Sequence, residues 1–239
     1  MADMTVGIPD REAVEALLAF STPSVLNGLK RLGKHPSELE SLDRNVVRCI
    51  SPGLGRRVGF AATRKVWTGR DNPESSGLTA LDIPGAHDDH ILAVPGPRIL
   101  VAENVGDWRG RVCIWGEVAA NLYKALDCTA GITNGPVRDI DEMQEVGFQT
   151  YAGGVDVGGG FVKVLETGQP VEIGGVAVAT GDLLHGDGHG VVKVPLELVE
   201  ALPDAIRGHE AKERNVIDLC RSSAFSLPGY AAAWTARSY

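Results

Sequence analysis

The sequence lacks the cysteine patterns that identify zinc-binding or disulfide-stabilised proteins. Its 239 residues contain four cysteines, at positions 49, 113, 128 and 220. They are widely separated, form no C-x-x-C motif and have no histidine at the spacing of a zinc partner. The scattering indicates reduced thiols, most of them buried.

Long apolar runs and a positive net charge are also missing. No stretch approaches the roughly 20 apolar residues needed to span a bilayer, and residues 1–13 lack a basic segment followed by an apolar one. The formal net charge is -8 and the isoelectric point is near 5.3. Binding to a phosphate backbone requires a basic face. We therefore expect a cytoplasmic protein with no membrane and no nucleic-acid partner.

The composition is that of a globular chain. Hydrophobic residues make up 44% and charged residues 23%, and no Ser/Pro-rich or charged run divides the chain. This predicts one domain over residues 1–239. Asp10 can cap a helix that reaches Phe20, Thr22-Pro23 begins another that Gly33 ends, and the chain after Pro195 has a helical pattern. Short β-rich runs between these ends predict an α/β core with a mixed sheet.

The most informative stretch begins at Gly116. Glycine there precedes a segment with apolar residues at helical spacing, namely Val118, Leu122, Ala125 and Leu126. The first backbone N–H groups of such a helix, those of Glu117, Val118 and Ala119, have no acceptor inside the helix. A helix end of this kind binds carboxylates or phosphates.

An Arg-Asp pair follows the same unit. Residues 131–133 have the pattern of a strand, Asn134-Gly135 that of a tight turn, and Arg138 and Asp139 come directly after it. A guanidinium can bind a carboxylate through two parallel hydrogen bonds, and an adjacent carboxylate can hold Mg²⁺ or Mn²⁺. An Arg-Asp pair is also common as a surface ion pair or a helix cap. Its position beside a glycine-led helix favours a binding site.

These motifs resemble those of the RraA-like family. The pattern GE, a helix, then G-[IV]-x-x-G-x-V-R-D is similar to that family's, and residues 180–195 resemble its closing GD-x-x-x-x-D-x-x-G-V-x-x-V-P signature. Residues 58–63 are similar to its V-G-x-A-x-T strand, and residues 170–176 to its P-V-x-x-G-G-V hairpin. The resemblance covers about residues 21–196, with a helical N-terminal segment, 1–33, and a helical C-terminal extension, 196–239.

The resemblance implies a swivelling β/β/α-type layered core, assembled as a homotrimer or as a homohexamer of two trimers. It also implies one of two functions. Some members are divalent-metal aldolases that cleave 4-hydroxy-4-methyl-2-oxoglutarate and 4-carboxy-4-hydroxy-2-oxoadipate to pyruvate, often with oxaloacetate decarboxylase activity. Others are protein inhibitors of RNase E.

The resemblance further implies roles for individual residues. Asp139 matches the carboxylate that binds the metal directly, and Glu117 an acidic position that holds water on the metal. Arg138 matches the residue that binds the pyruvate oxygens. Gly116 and the amides of Val118 and Ala119 form the helix end that receives the substrate carboxylate. Glu213, in the C-terminal helix, lies where an acidic residue reaches the metal of a neighbouring subunit.

Several polar residues keep more than one interpretation. Asn134 and Asn27 stand where the family often has aspartate. Residues 87–90, His-Asp-Asp-His, form either a polar loop or a site that binds a metal or moves protons. His185 and His189 accompany Asp182 and Asp187, which we expect in turns and caps. The glycine-rich residues 153–160 lack the P-loop pattern and are predicted to form a flexible loop.

The leading hypothesis is a metal-dependent carbon-carbon lyase that acts on a 2-oxo acid, by retro-aldol cleavage or by decarboxylation of an oxaloacetate-like compound. With no candidate Schiff-base lysine in these motifs, a divalent metal is expected to accept the enolate charge. The alternatives are a non-enzymatic, protein-binding RNase regulator and a related enzyme with an undescribed substrate. Helices at both ends of the chain favour an enzyme.

Overall fold

The computed structural model describes residues 7–71, 88–106 and 109–236. Twelve strands are found in this part: β1 Arg48–Cys49, β2 Arg57–Gly69, β3 Arg98–Asn104, β4 Cys128–Thr133, β5 Pro136–Val137, β6 Gln149–Ala152, β7 Gly154–Val155, β8 Phe161–Thr167, β9 Val171–Ile173, β10 Val176–Val178, β11 Leu183–Asp187 and β12 Gly190–Val194. Seven α-helices accompany them: α1 Arg11–Ala16, α2 Thr22–Arg31, α3 Asp89–Leu92, α4 Glu117–Ala125, α5 Ile140–Val146, α6 Leu202–Arg221 and α7 Leu227–Ala236.

Eight strands form the central sheet, in the order β1-β6-β4-β3-β2-β11-β12 with β8 also paired to β2. β2, β3, β4 and β6 are parallel to one another, and the remaining strands join antiparallel. β2 is long enough to have two partners on one edge. Its first residues, from Arg57 to Phe60, pair with β11, and its later ones, from Arg64 to Gly69, pair with β8. The predicted mixed α/β core is confirmed.

Both faces of this sheet are covered. Along β2, Phe60 and Ala62 lie in a cluster with α1, α2, α4, α5 and α6, whereas Ala61 lies in a second cluster under the β9–β10 hairpin. Leu100 and Ile99 alternate in the same way along β3. Alternation of side chains along a strand, with apolar residues on both faces, requires a layer on each side. The layers are therefore hairpin, sheet and helices.

The terminal helices pack against the core and each other. Asp10 caps α1 by accepting a hydrogen bond from the backbone N–H of Ala13 at 2.8 Å, as the sequence predicts. α2 packs closely on α6, since a β carbon at Gly28 would lie 2.5 Å from Ile206. α7 packs on α6 and extends the helical C-terminal segment to Ala236. Within the described residues, no helix combines the length and apolar character needed to cross a membrane.

The strand-helix-strand unit β3-α4-β4 carries the stretch singled out in the sequence. β3 and β4 run parallel, with Ile99 opposite Ala130 and Val101 opposite Ile132, so α4 is the crossover connection between neighbouring strands. Parallel strands end at the same edge of the sheet. The segments that follow β3 and β4 are therefore brought together, and with them the residues at the start of α4.

Candidate anion and metal site at Gly116 and Asp139

The base of the site is the junction between the ends of β3 and β4. The side-chain amide of Asn134 accepts a hydrogen bond from the backbone N–H of Asn104 at 2.6 Å and donates one to the Asn104 carbonyl at 3.1 Å. Because this pairing needs both a donor and an acceptor, an ionised aspartate cannot reproduce it. Asn134 therefore ties the two strand ends together, a role that the comparison with the family's aspartate did not suggest.

Gly116 and Asp139 are in direct contact across the site. Asp139 Oδ2 accepts a hydrogen bond from the backbone N–H of Glu117 at 3.1 Å. A β carbon at position 116 would lie 2.2 Å from the same oxygen and 3.1 Å from Arg138 Cγ. The φ angle of Gly116 is -147°, which any residue adopts. Glycine is needed here because the aspartate leaves no space for a side chain.

Asp139 has an unusual backbone conformation. Its φ of 55° and ψ of 50° place it in the left-handed region, which aspartate tolerates better than most residues. It directly precedes α5, but its carboxylate makes no capping bond to that helix. The carboxylate is directed instead to the first turn of α4. Non-glycine residues held in sparsely populated backbone regions cluster at functional sites, and this conformation agrees with such a role.

Arg138 lies beside this carboxylate with most of its donors free. Its Nε is 3.6 Å from Asp139 Oδ2, and its side chain is 54% exposed. Its backbone N–H donates to the Trp115 carbonyl at 3.2 Å, which fixes the main chain next to α4. No other described residue bonds to the guanidinium. Its terminal N–H groups are therefore available to an oxyanion.

The first turn of α4 faces solvent. Val118 is 86% exposed, whereas Ala120 and Tyr123 are the buried residues of the helix. The predicted helix is confirmed. Of the four residues whose spacing predicted it, Leu122 and Leu126 are partly buried against the core, whereas Val118 and Ala125 are exposed. The exposed turn leaves the N–H groups of Val118 and Ala119 without a helical acceptor and open to a ligand.

The glycine-rich residues 153–160 form a wall next to Arg138. β7 pairs with β5, and the N–H of Asp156 donates to the Val137 carbonyl at 3.1 Å. The Cys113 thiol donates to the Asp156 carbonyl at 2.9 Å, and the N–H of Gly158 donates to Asp156 Oδ1 at 2.7 Å. Burial, with the nearby charge of Asp156, raises the pKa of Cys113. The segment predicted as a flexible loop thus contains a strand and a hydrogen-bonded turn. Neither Cys113 nor Asp156 was predicted to lie next to the site.

Residues 87–90 lie only partly within the described residues. His87 lies outside the described residues. Asp88 is buried, and its Oδ1 is 3.2 Å from Nη1 of the buried Arg64, which also bonds to the Tyr123 hydroxyl. Across residues 7–71, 88–106 and 109–236, no group of three or more His, Cys, Asp or Glu residues is placed to hold a metal. Asp88 therefore serves an internal ion pair, and the metal-binding interpretation of this segment gains no support.

The histidines of the closing signature lie away from the site. Nδ1 of His185 is 3.1 Å from Thr22 Oγ1, its Nε2 is 3.2 Å from the Leu17 carbonyl, and burial lowers its pKa to about 4. Asp187 accepts hydrogen bonds from the backbone N–H groups of Thr22 and His189, both at 2.8 Å. The expectation that Asp187 serves a turn or cap is confirmed. These residues anchor the N-terminal helices to β11.

The two carboxylates of the site supply oxygens of the kind that a hard divalent cation takes as ligands. In the described structure, Asp139 Oδ1 and both carboxylate oxygens of Glu117 have no hydrogen-bond partner, so oxygen ligands are available. Two carboxylates suit Mg²⁺ or Mn²⁺, since Mg²⁺ keeps several waters when bound to protein.

Glu213 is not part of this group within one chain. It lies 3.2 Å from His209 Nε2 on α6, which packs chiefly on α2 and α7. Its role at a neighbouring subunit's site stays a prediction.

The fold and these contacts define a class: a layered α/β protein in which an arginine-aspartate pair faces a helix N-terminus. The chain belongs to the RraA-like family, because the family model described as Aldolase/RraA matches residues 30–193. The resemblance found in the sequence is thereby confirmed. The family includes both aldolases and RNase regulators.

One curated relative is named as an aldolase. A protein of Halalkalibacterium halodurans, provisionally named as a 4-hydroxy-4-methyl-2-oxoglutarate aldolase, is 26% identical over 188 residues, which are 74% of this chain and 83% of that protein. Of the first two curated relatives that it matches, the chain spans only 58% and 22% of the length.

Two solved structures have the same fold. One is an uncharacterized protein from Pseudomonas syringae pv. tomato, with a TM-score of 0.72 and 21% identity over 98% of both chains. The other is Streptomyces coelicolor RraAS2, described as an unusual member of the RNase ES inhibitor RraA family, with a TM-score of 0.65 and 23% identity over 86% of this chain and 96% of that one.

Proposed function

We propose that the protein is a divalent-metal-dependent carbon-carbon lyase that cleaves a 4-hydroxy-2-oxo acid to pyruvate. The observation that carries the proposal is the contact of Asp139 with the first turn of α4, where the Arg138 guanidinium and free helix N–H groups meet two carboxylates. Family membership and the relative named as an aldolase support it. Aldolases of this family depend on a metal in general.

Each group has a role in binding a 2-oxo acid. The N–H groups of Val118 and Ala119 receive the C1 carboxylate at the positive end of the helix. Arg138 binds the oxygens of the same end of the substrate through its free N–H groups. Asp139 would hold Mg²⁺ or Mn²⁺ directly, and Glu117 would hold water on the cation. When bound, such a cation supplies positive charge next to the 2-oxo oxygen, where negative charge develops as the carbon-carbon bond breaks.

The retro-aldol step requires one proton to leave and one to return. The 4-hydroxyl loses its proton, C4 becomes a carbonyl carbon, the C3–C4 bond breaks, and its electron pair stays on C3 in conjugation with the 2-oxo group. A proton then adds to C3 to give pyruvate. Glu117 is our candidate for accepting the hydroxyl proton, directly or through water, because its carboxylate has no partner among the described residues. Loss of CO₂ from oxaloacetate leaves the same electron pair, so decarboxylation is expected as a second activity.

A metal-dependent assay of pyruvate release tests the proposal. The protein, stripped with EDTA, is supplied with Mg²⁺ or Mn²⁺ and given a panel of 4-hydroxy-2-oxo acids and oxaloacetate. We expect turnover only with metal, and its loss in Asp139→Asn, which keeps the shape of the side chain but removes its charge. Pyruvate release that is indifferent to metal and to Asp139→Asn would contradict the proposal. Absence of any turnover would favour the alternative, a protein-binding regulator of an RNase, which needs no metal.

A further inference from the structure

A pocket separate from the candidate lyase site lies at the opposite end of the parallel strands. It is lined where β2, β3 and β4 begin, by residues that include Arg57, Pro97 and Thr129. The candidate lyase site follows the other end of β3 and β4. β4 has six residues, so the two sites are separated by roughly 20 Å at about 3.3 Å per residue.

The pocket is unusually cationic for an acidic protein. It has a volume of about 190 Å³, and its lining includes Arg56, Arg57 and Lys124 with Glu15 as the one acidic side chain. Glu15 is already paired with Arg11 at 2.7 Å. None of the three lining cations has an ion pair within the described structure. The pocket thus has an excess of positive charge in a chain whose net charge is -8.

Arg57 is held rigidly at the wall of the pocket without a negatively charged partner. Its guanidinium donates to four backbone carbonyls: those of Thr129 at 3.2 Å, Leu54 at 2.8 Å, Arg56 at 2.7 Å and Gly147 at 3.4 Å. Burial lowers its pKa, which means that its charged form is poorly solvated. An anion in the pocket would provide the missing countercharge.

The other two cations have donors to offer. Arg56 donates through Nη1 to the carbonyls of Leu18 and Ala19, at 3.1 and 2.7 Å, which fixes the guanidinium and leaves Nε and Nη2 without an acceptor among the described residues. The Lys124 ammonium, on the last turn of α4, has no described hydrogen bond. Apolar walls come from Leu18, Val58 and Pro97. A fixed guanidinium, an ammonium and a fixed, partly buried guanidinium are groups that bind an oxyanion.

We propose that this pocket binds a small oxyanion, a phosphate or carboxylate group, at a site separate from the lyase site. The volume admits such a group together with a short apolar body. The proposal does not depend on the lyase activity. Lys124 and the amides of Val118 and Ala119 belong to the same helix. Anion binding at the pocket must therefore be measured separately from anion binding at the first turn of α4.

The test uses inorganic phosphate and acetate as probes with the purified full-length protein, at constant ionic strength set with chloride. Thermal melting and hydrogen-deuterium exchange are measured across a concentration series. We expect a saturable rise in melting temperature and slower exchange in peptides that cover residues 54–58 and 124–129. Comparison of the two probes shows whether phosphate or carboxylate is preferred.

Three variants locate the effect. Arg56→Gln combined with Lys124→Gln should weaken phosphate binding by about tenfold or more, since two direct donors are lost. Arg214→Gln combined with Arg221→Gln removes the same charge from exposed positions of α6 and should bind as the parent does. Arg138→Ala should keep the protection at 54–58. Protection confined to the start of α4 and lost in Arg138→Ala would overturn the proposal, as would equal weakening in both double variants or no saturable effect of either probe.

Discussion

Gly116→Ala is expected to remove activity while leaving the fold intact. The added β carbon would lie 2.2 Å from Asp139 Oδ2 and 2.9 Å from its Cγ. To restore an ordinary contact distance between the new β carbon and the carboxylate, the carboxylate must move by about 1 Å. The hydrogen bond from Glu117 N–H, 3.1 Å long, is then lost. A displacement of that size at a reacting centre lowers kcat by on the order of 100-fold.

The stability of this variant should change little. The φ of -147° suits alanine, and the displaced carboxylate is partly exposed, so we expect the free energy of unfolding to change by less than about 1 kcal/mol. Pyruvate release is measured with saturating metal, and unfolding is followed by circular dichroism in denaturant. Gly110→Ala is the matched control, because nothing lies within 4 Å of its added β carbon. A Gly116→Ala enzyme that keeps more than half of the parent kcat would refute the steric argument.

Three further predictions concern charge, pH and assembly. Arg138→Lys should lower kcat/KM for pyruvate release by more than about threefold, since an ammonium cannot bind two oxygens in parallel as a guanidinium does; a smaller loss would make Arg138 a surface ion-pair partner. Because burial lowers the pKa of His185 from 6.5 to about 4, the unfolded chain binds a proton that the folded chain does not, and the free energy of unfolding should fall by about 3 kcal/mol as the pH drops from 6.5 to 4. Denaturant titrations at several pH values in this range should show that the free energy of unfolding of His185→Gln changes less with pH than that of the parent. An equal change with pH in both proteins would contradict the role of His185. If Glu213 serves a neighbouring subunit, Asp139→Ala and Glu213→Ala chains, refolded together, should regain pyruvate release well above either parent; verified mixed oligomers without recovery would remove Glu213 from the site.

The local units of this protein were predictable from residues close together in sequence. The helix after Gly116, the strand before Asn134 and the cap at Asp10 each depend on spacing or on side chains within a few positions. The parallel pairing of β3 and β4 also follows, because a strand-helix-strand unit has few ways to close. The family signatures also indicate Arg138 and Asp139 as candidate site residues.

Other features depend on contacts between distant parts of the chain, which periodicity does not contain. Apolar spacing in α4 could not show that Val118 faces solvent, or that Gly116 contacts Asp139, 23 positions away. Asn134 as a link between strand ends, Asp88 in a buried ion pair with Arg64, and Asp156 bonded to the main chain beside Arg138 all depend on such contacts. The cationic pocket has the same origin. Arg56, Arg57 and Lys124 are unremarkable along the chain, and only the packing of α4 beside the beginnings of β2 and β4 places their charges around one cavity.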